Sequence, residues 1–293
     1  MSPSSCLHRS PPRLLGRPSR RPAFQGDQQA RALPSDYREG EILKIPGEEV
    51  VTNAEAYPIS AIAPPLAGRA VASQRWSHLV FLHWRVDAAL VAPLLPAGLV
   101  PDEYDGSSWV GLIPFVLDRA TVLGSPPIPY FGSFVEVNVR LYAVDVQGRR
   151  GVVFVSLEAS RLAAVLAARS LFSLPYVWSR TRLQVDSGTY RYTSTRHRNR
   201  RLHTDILARP GSVAVTDDPL ADFLTARWAL FTNIRGRTVH LRNHHDPWPV
   251  LRAELLSIDD TLLAAAGFVG LADRAPDSVL YSTGVTTWFG RGD

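Results

Sequence analysis

Cysteine and lysine are nearly absent from this chain of 293 residues, and each absence excludes a class of chemistry. Cys6 is the only cysteine and lies near the amino terminus, so disulfide bonds, thiolate zinc sites and a cysteine nucleophile in the core are excluded. Lys44 is the only lysine among 32 basic residues, so the rest of the chain offers no amine for a Schiff base. This cysteine usage suits a reducing compartment, and we expect a cytoplasmic protein.

Long apolar runs are missing as well, since none approaches the roughly 18 residues that a membrane-spanning helix needs. The net charge is +5, but residues 1–40 hold seven arginines and three acidic residues, which leaves 25 basic against 24 acidic residues elsewhere. The remainder is nearly neutral, so we predict neither a nucleic-acid partner nor a membrane partner. No P-loop and no G-x-G-x-x-G motif occurs, and we predict no cofactor.

Composition divides the chain into three parts. Residues 1–40 are rich in Pro, Arg, Ser and Gln, which predicts a disordered tail; a transit peptide and an over-extended start are the alternatives. Residues 41–72 combine prolines with small apolar residues, which predicts an extended arm that packs on the domain. Residues 73–293 have dense apolar patterning, and we predict that they form a single domain.

Apolar periodicity predicts a β-rich α+β domain. Strands are predicted at 78–86, 107–117, 134–144, 151–159 and 189–197, and on both sides of a loop within 237–258. Helices are predicted at 87–99, 160–172 and 218–232, with Asp87, Ser160 and Asp218 near their starts. The segment DVQGRRG separates two of the strands and predicts a hairpin with a glycine-containing turn. Many strands with few helices indicate a closed or half-closed barrel.

The predicted strand FVEVNVRLYAV (134–144) has two unlike faces, because side chains on a strand alternate sides. One face is a row of valines and a leucine, as in a barrel strand packed against helices on its outside. The other carries Glu136, Asn138 and Arg140 between two aromatic residues. This second face is either a solvated sheet surface or the wall of a polar lumen, and the flanking aromatic residues favour the lumen.

Two further residues have both a structural and a functional interpretation. Arg169 lies near the end of a predicted helix, where a cation either balances the helix dipole or grips a ligand carboxylate bidentately. His83 alternates with apolar residues in a predicted strand, which is typical of a buried, hydrogen-bonded histidine; the alternative is a histidine that contacts the ligand.

A metal site is not predicted, although histidines cluster in TVHLRNHHDPWP. His240 and His244 have a spacing that suits two ligands on one helix, and His245 and Asp246 follow directly. The segment is predicted as strand and loop, where this spacing does not bring the side chains together.

Several segments resemble the YqjF-like family, an uncharacterised family of bacterial domains. They are VFLHWRVDAALVAPLLPAGLVPDEYDGSSWVGLIPF, FVEVNVRLY, GVVFVSLEA, AARSLFSLPY, FLTARWALFT and HDPWP, in that order, from about Trp76 to Phe289. The family looks related to acetoacetate decarboxylase. The resemblance therefore implies an acetoacetate decarboxylase-like barrel or cone of mainly antiparallel strands, with an internal polar pocket.

The same resemblance implies roles for individual residues. Glu136 matches the pocket glutamate of the decarboxylase, and Arg169 and Pro175 keep the spacing of its conserved arginine and proline. The two lysines of the decarboxylase fall on Tyr176 and Val177 here. The Schiff-base amine is therefore missing, and we do not expect Schiff-base decarboxylation.

These observations predict a small-molecule-binding protein with an enclosed polar pocket. We expect acid/base chemistry next to a carbonyl or carboxylate group, without a Schiff-base lysine. The predicted site consists of Glu136 and Tyr176 as catalytic residues and of His83, Asn138, Arg140 and Arg169 as substrate-binding residues. A non-catalytic sensor or carrier of a metabolite is the alternative, because it needs the arginines but no general base. Homo-oligomerisation stays open.

Overall fold

Twelve β-strands make up most of the described chain. The computed structural model describes residues 56–66, 68–130, 132–162, 165–166, 169 and 173–290, all of which belong to one compact unit. The strands are β1 (Ala72–Val86), β2 (Leu99–Pro101), β3 (Ser108–Val122), β4 (Phe134–Asp145), β5 (Arg150–Ala159), β6 (Tyr176–Asp186), β7 (Thr189–Arg196), β8 (His203–Ala214), β9 (Ala229–Ile234), β10 (Arg237–His244), β11 (Val250–Asp260) and β12 (Ser278–Phe289). The predicted tail, residues 1–40, lies outside the described residues.

The helices with defined bounds are short. They are α1 (Ala88–Val91), α2 (Pro219–Thr225) and α3 (Leu262–Ala265), with single 3-10 turns at Ala92–Leu94 and Leu271–Asp273. The described residues of the predicted helix 160–172 include helical positions at 162, 165, 166 and 169. Within the described part of the chain, no helix has the length and hydrophobicity to cross a membrane.

Backbone pairing closes the sheet into two rings of strands. The seven-strand ring consists of β12, β1, β3, β4, β5, β9 and β10, and the β10–β12 pair closes it. The nine-strand ring consists of β5, β6, β7, β8, β11, β12, β1, β3 and β4, and the β4–β5 pair closes it. The two pairs β5–β6 and β5–β9 are parallel, and the other strand pairs are antiparallel. The predicted β-rich fold of mainly antiparallel strands is confirmed.

Strands β5, β4, β3, β1 and β12 belong to both rings, and β1, β3 and β4 separate the two interiors. The valine face of β4, including Val137 and Val139, packs in a core cluster with Tyr192 and Ile206, which come from β7 and β8. The sequence predicted helices against this face. The structure places strands of the nine-strand ring there, together with Leu262 of α3, because the chain returns as a second set of strands and not as helices.

The predicted β4–β5 hairpin is confirmed. Residues 136–144 pair with residues 150–159 in antiparallel register, with one irregularity between Val139 and Arg140. Gly148 lies in the connecting turn with a φ of 76°, a left-handed conformation that glycine adopts without steric cost.

The predicted helix 218–232 is wrong in its second half. Asp218 caps α2 as expected, since its side chain accepts hydrogen bonds from the amides of Leu220 and Ala221 at 3.0 Å. The helix ends at Thr225, however, and β9 (Ala229–Ile234) follows. Pairing of β9 with β10 and β5 overrides the local helical pattern.

The described part of the arm, from residue 56, makes hydrogen bonds to the body of the fold. The amide of Tyr57 donates to the carbonyl of Gly148 at 2.8 Å, and the indole of Trp228 donates to the carbonyl of Ser60 at 2.9 Å. Farther along, Arg242 donates to the carbonyl of Pro65 at 3.0 Å. These contacts fix the course of the arm over the β4–β5 turn and β10.

Gly284 in β12 generates a stability prediction. It has a φ of 116°, and a Cβ atom there would collide with the backbone of Trp76 and Ser77 in β1. We expect Gly284→Ala to lower the free energy of unfolding by more than about 3 kcal/mol, because backbone strain and overpacking add.

Gly188→Ala is the matched control, because Gly188 also has a positive φ of 77° but open space around its Cβ position. That variant should lose only about 1–2 kcal/mol, the cost of the left-handed backbone. Urea denaturation of both variants measures the difference. Equal losses would contradict the close approach of β12 to β1.

Candidate functional site

A cavity of about 100 Å³ lies inside the seven-strand ring, and we call it the ring cavity. Every strand of the ring contributes to its wall. One lining residue per strand is Trp76 (β1), Phe115 (β3), Asn138 (β4), Phe154 (β5), Leu230 (β9), Asn243 (β10) and Phe289 (β12). This volume equals that of roughly three water molecules in the liquid, so it suits a ligand of about four to six non-hydrogen atoms.

The polar face of β4 lines this cavity. Glu136 is 2 % exposed and Asn138 is 4 % exposed, and Arg140 is partly buried beside them. Tyr176 lies at the start of β6, and its hydroxyl donates a hydrogen bond to Oε2 of Glu136 at 2.9 Å. The structure thus brings together four of the six residues that the sequence nominated.

Glu136 is poised to exchange a proton near neutral pH. Burial raises the pKa of its carboxyl from 4.5 to about 7, while the hydrogen bonds of Tyr176 and Asn138 act in the opposite direction. Burial and the neighbouring Glu136 raise the pKa of Tyr176 well above its usual range, so the phenol keeps its proton. Both forms of Glu136 are therefore populated at pH 7, which suits a general acid or base.

Arg140 supplies a positive charge to the cavity wall. Its Nε donates to the hydroxyl of Tyr142 at 3.0 Å, and its Nη2 donates to the carbonyl of Leu224 at 2.8 Å. In the described part of the chain, its Nη1 has no hydrogen-bond partner and no carboxylate lies within ion-pair distance. An anionic ligand would supply the missing charge.

His83 lies behind the cavity wall and is not a lining residue. Its Nε2 is 2.6 Å from the hydroxyl of Tyr142, which itself donates to the carbonyl of Leu224. Nε2 therefore carries the proton and donates to Tyr142. Burial, followed by the charges of Arg140 and Arg227, holds the pKa of His83 well below its usual range, so the ring is neutral. Of the two interpretations of His83, the structure therefore matches that of a buried, hydrogen-bonded histidine.

Arg169 lies outside the ring cavity. It is exposed and lines a separate depression of about 250 Å³, together with Ser156, Pro175 and Arg196. Tyr176 borders both this depression and the ring cavity. The structure does not place Arg169 on the cavity that contains Glu136.

Arg227 is a cavity residue that the sequence did not nominate. Its side chain is 3 % exposed, and its Nη1 is 2.5 Å from the carboxylate of Asp102, which is fully buried. Its guanidinium also lies over the rings of Tyr142 and Phe223, at 4.7 Å and 4.2 Å from their centroids. The sequence predicted one helix over 218–232, whereas Arg227 lies in the segment between α2 and β9.

His245 is a second residue with an unforeseen position. Its Nδ1 lies 2.7 Å from the carbonyl of Asp246 and donates to it, so Nε2 is an acceptor. Trp76, Trp228 and Trp248 surround the ring, and burial lowers its pKa to about 4. Among the described residues, no three His, Cys, Asp or Glu side chains form a group that could hold a metal ion.

Four lining residues have a buried polar atom without a hydrogen-bond partner among the described residues. These atoms are Trp76 Nε1, Asn138 Oδ1, Arg227 Nη2 and Asn243 Oδ1. An unsatisfied buried donor or acceptor costs about 1–3 kcal/mol. Two donors and two acceptors in one cavity wall are groups that water or a polar ligand would satisfy.

Comparison with solved structures defines the fold class. The structure is similar to acetoacetate decarboxylase from Legionella pneumophila, with a TM-score of 0.54, 15 % identity, and coverage of 86 % of this chain and 97 % of that one. It is also similar to the enduracididine biosynthesis enzyme MppR complexed with pyruvate, with a TM-score of 0.52, 15 % identity, and coverage of 77 % and 90 %. The chain has the fold of the acetoacetate decarboxylase-like proteins.

Comparison of sequences defines the family. Residues 73–286 match the model of DUF2071, a family described as uncharacterized conserved proteins. The uncharacterized protein YqjF of Bacillus subtilis is 33 % identical over 196 residues, which cover 66 % of this chain and 81 % of that protein. The chain belongs to the DUF2071 family, and the predicted relationship to YqjF is confirmed.

The raised pKa of Glu136 generates a prediction on pH and stability. Below pH 4.5 the carboxyl is protonated in the folded and unfolded states; as the pH rises to about 7, the unfolded state releases its proton first. The free energy of unfolding therefore falls over this range, by roughly 3 kcal/mol for this shift.

Glu136→Gln should remove this fall in the free energy of unfolding with rising pH. We expect the melting temperature of the variant relative to the wild type to rise by several degrees between about pH 5 and pH 8. Glu254→Gln is the control, because Glu254 is exposed and pairs with Arg209 at 3.3 Å. Thermal unfolding across this pH range measures both. A constant difference for Glu136→Gln would show that this carboxyl titrates normally.

Proposed function

We propose that the ring cavity binds a small oxo acid or a related carboxylate, and that Glu136 exchanges a proton with the carbon next to its carbonyl group. The observation that carries this proposal is a buried carboxyl with a pKa of about 7 on the same strand face as Arg140, which lacks a carboxylate partner in the described chain. The first group is matched to proton transfer at neutral pH, and the second attracts an anion.

The size and polarity of the cavity support this ligand class. A volume of about 100 Å³ accommodates a molecule of roughly six non-hydrogen atoms at most. Arg140 offers its free Nη1 to a carboxylate or an enolate oxygen, and Asn138 and Asn243 offer unsatisfied carbonyl oxygens to ligand donors. The pyruvate complex of MppR, a protein of the same fold, supports the oxo acid class.

The proton transfer uses groups of this chain alone. The carboxylate of Glu136 removes a proton from the carbon beside the carbonyl, and the electron pair of the C–H bond moves to the carbonyl oxygen. Arg140 stabilises the resulting enolate. Once protonated, Glu136 can donate to the oxygen of Tyr176, which frees the phenolic proton for the ligand oxygen. Return of the proton to carbon completes an exchange or isomerisation.

This chemistry does not require an amine. The chain has no lysine after residue 44, and Tyr176 is a neutral phenol where the resemblance to the decarboxylase implied a lysine. Carbon–carbon bond cleavage through a Schiff base is therefore not part of the proposal. Enolate formation, which a carboxylate base and a cation can support, is the step that the cavity suits.

The test is exchange of carbon-bound protons for deuterium. Small oxo acids of roughly six non-hydrogen atoms are incubated with the protein in D₂O, and loss of the proton signal beside the carbonyl is followed by NMR. We expect Glu136→Gln to slow exchange by roughly 100-fold or more, because it removes the base. Arg140→Gln should slow exchange and also weaken ligand binding. Glu254→Gln should change neither the exchange rate nor ligand binding.

Thermal shift with the same compounds separates catalysis from binding. A ligand at about 100 times its dissociation constant adds roughly 2.7 kcal/mol of stability. Binding that depends on Arg140, without any exchange, would identify the protein as a non-catalytic metabolite binder. If no oxo acid, hydroxy acid, lactone or sugar acid binds or undergoes exchange, the assignment of the cavity as a catalytic site and its assignment as a metabolite-binding site are both contradicted.

A further inference from the structure

A second and larger cavity lies under the arm, and we call it the arm cavity. Its volume is about 540 Å³, and residues of the arm between Tyr57 and Pro64 form one side. The opposite side comes from the start of β5, the segment between α2 and β9, and β10. The family match begins at residue 73, so the arm that covers this cavity precedes the matched region.

The arm cavity carries an excess of positive charge. Arg150 and Arg227 both form ion pairs with the single carboxylate of Asp102. Arg242 donates to the carbonyl of Pro65 at 3.0 Å and, within the described chain, has no carboxylate partner. These three lining guanidinium groups therefore face one negative charge, which leaves two positive charges. Arg149, which pairs with Asp145, does not enter this balance.

Arg227 lies in the wall between the two cavities and has an unsatisfied donor. Its side chain is only 3 % exposed, and its Nη2 has no hydrogen-bond partner among the described residues. A buried guanidinium with an unsatisfied donor is costly, and an oxyanion is the partner that guanidinium geometry fits best. Arg227 lines both the ring cavity and the arm cavity, so an oxyanion in the arm cavity has this group within its wall.

The arm side of the cavity is apolar. Ile59 and Ile62 of the arm line this side, and Ile62 is 71 % exposed. Trp228 lines the opposite side of the cavity. Burial of an exposed aliphatic side chain under a ligand is favourable, because it removes apolar surface from water. The cavity thus pairs a cationic side with an apolar side.

We propose that the arm cavity is a second binding site, for a doubly charged oxyanion that carries an apolar group, such as a phosphate monoester of an apolar alcohol. The two uncompensated guanidinium charges match a dianion, and Ile59, Ile62 and Trp228 match the apolar substituent. The two cavities share Arg227, but Arg242, Ile62 and Trp228 line the arm cavity and not the ring cavity, so either assignment can fail without the other.

The test is calorimetric titration of the full chain with phenyl phosphate, inorganic phosphate and benzoate. Phenyl phosphate should bind most tightly, because inorganic phosphate lacks the apolar group and benzoate carries one charge. Arg242→Gln should weaken phenyl phosphate binding by 10-fold or more. The matched control is Arg237→Gln, which removes the same charge from an exposed position on the same strand and should leave binding unchanged.

A second variant tests the apolar side without touching the charges. Ile62→Ser alters an exposed arm residue and should weaken phenyl phosphate binding while leaving inorganic phosphate binding unchanged. The proposal would be overturned if phenyl phosphate does not bind to the wild type. It would also be overturned if phenyl phosphate binds to Arg242→Gln and Ile62→Ser as tightly as to the wild type. Equal binding of benzoate and phenyl phosphate would also overturn it, because the site would then not select a dianion.

Discussion

The structure depends on a wall of strands that is buried on both faces. β1, β3 and β4 belong to both rings, so one face of each strand packs in the dry core of the nine-strand ring and the other looks into the seven-strand ring. A strand buried on both faces normally carries apolar residues throughout. Glu136, Asn138 and Arg140 break that pattern on β4, and their burial is the origin of the polar chemistry in the ring cavity.

The cost of burying these groups explains how the site is built. Removal of a carboxyl from water raises its pKa, and Glu136 reaches about 7 even though Tyr176 and Asn138 support its charged form. Arg140 is held by the Tyr142 hydroxyl and the Leu224 carbonyl, with a neutral His83 behind them. The charged groups are thus oriented by neutral partners, which leaves the charge itself available to a ligand.

The family relationship and the similarity of fold support different statements about this chain. Membership in DUF2071 and the similarity to YqjF relate this chain to uncharacterized proteins, and the 15 % identity to acetoacetate decarboxylase establishes the fold alone. The chain has no lysine after residue 44, so the proposed chemistry uses no amine. Function must therefore be argued from the cavity residues, and Glu136 and an uncompensated Arg140 on the same strand face are the basis for doing so.

Local patterns predicted the strands well where alternation was strong, as in β4, because one buried face fixes which side chains point together. They failed at Ala229–Ile234, where a helix was expected, because pairing with β10 and β5 is a contact between distant segments. For the same reason Arg227 was missed, whereas Arg169 was nominated but lies on a separate depression.

By itself, the sequence determined the β-rich class, the polar face of β4 and the lack of a Schiff-base amine, because composition and period-two alternation are local properties. Only the tertiary structure decided that two rings share five strands, that Arg227 and His245 join Glu136 at one cavity, and that the arm covers a second cavity. Ring closure brings together residues far apart in the chain, and no local pattern encodes which strands will meet.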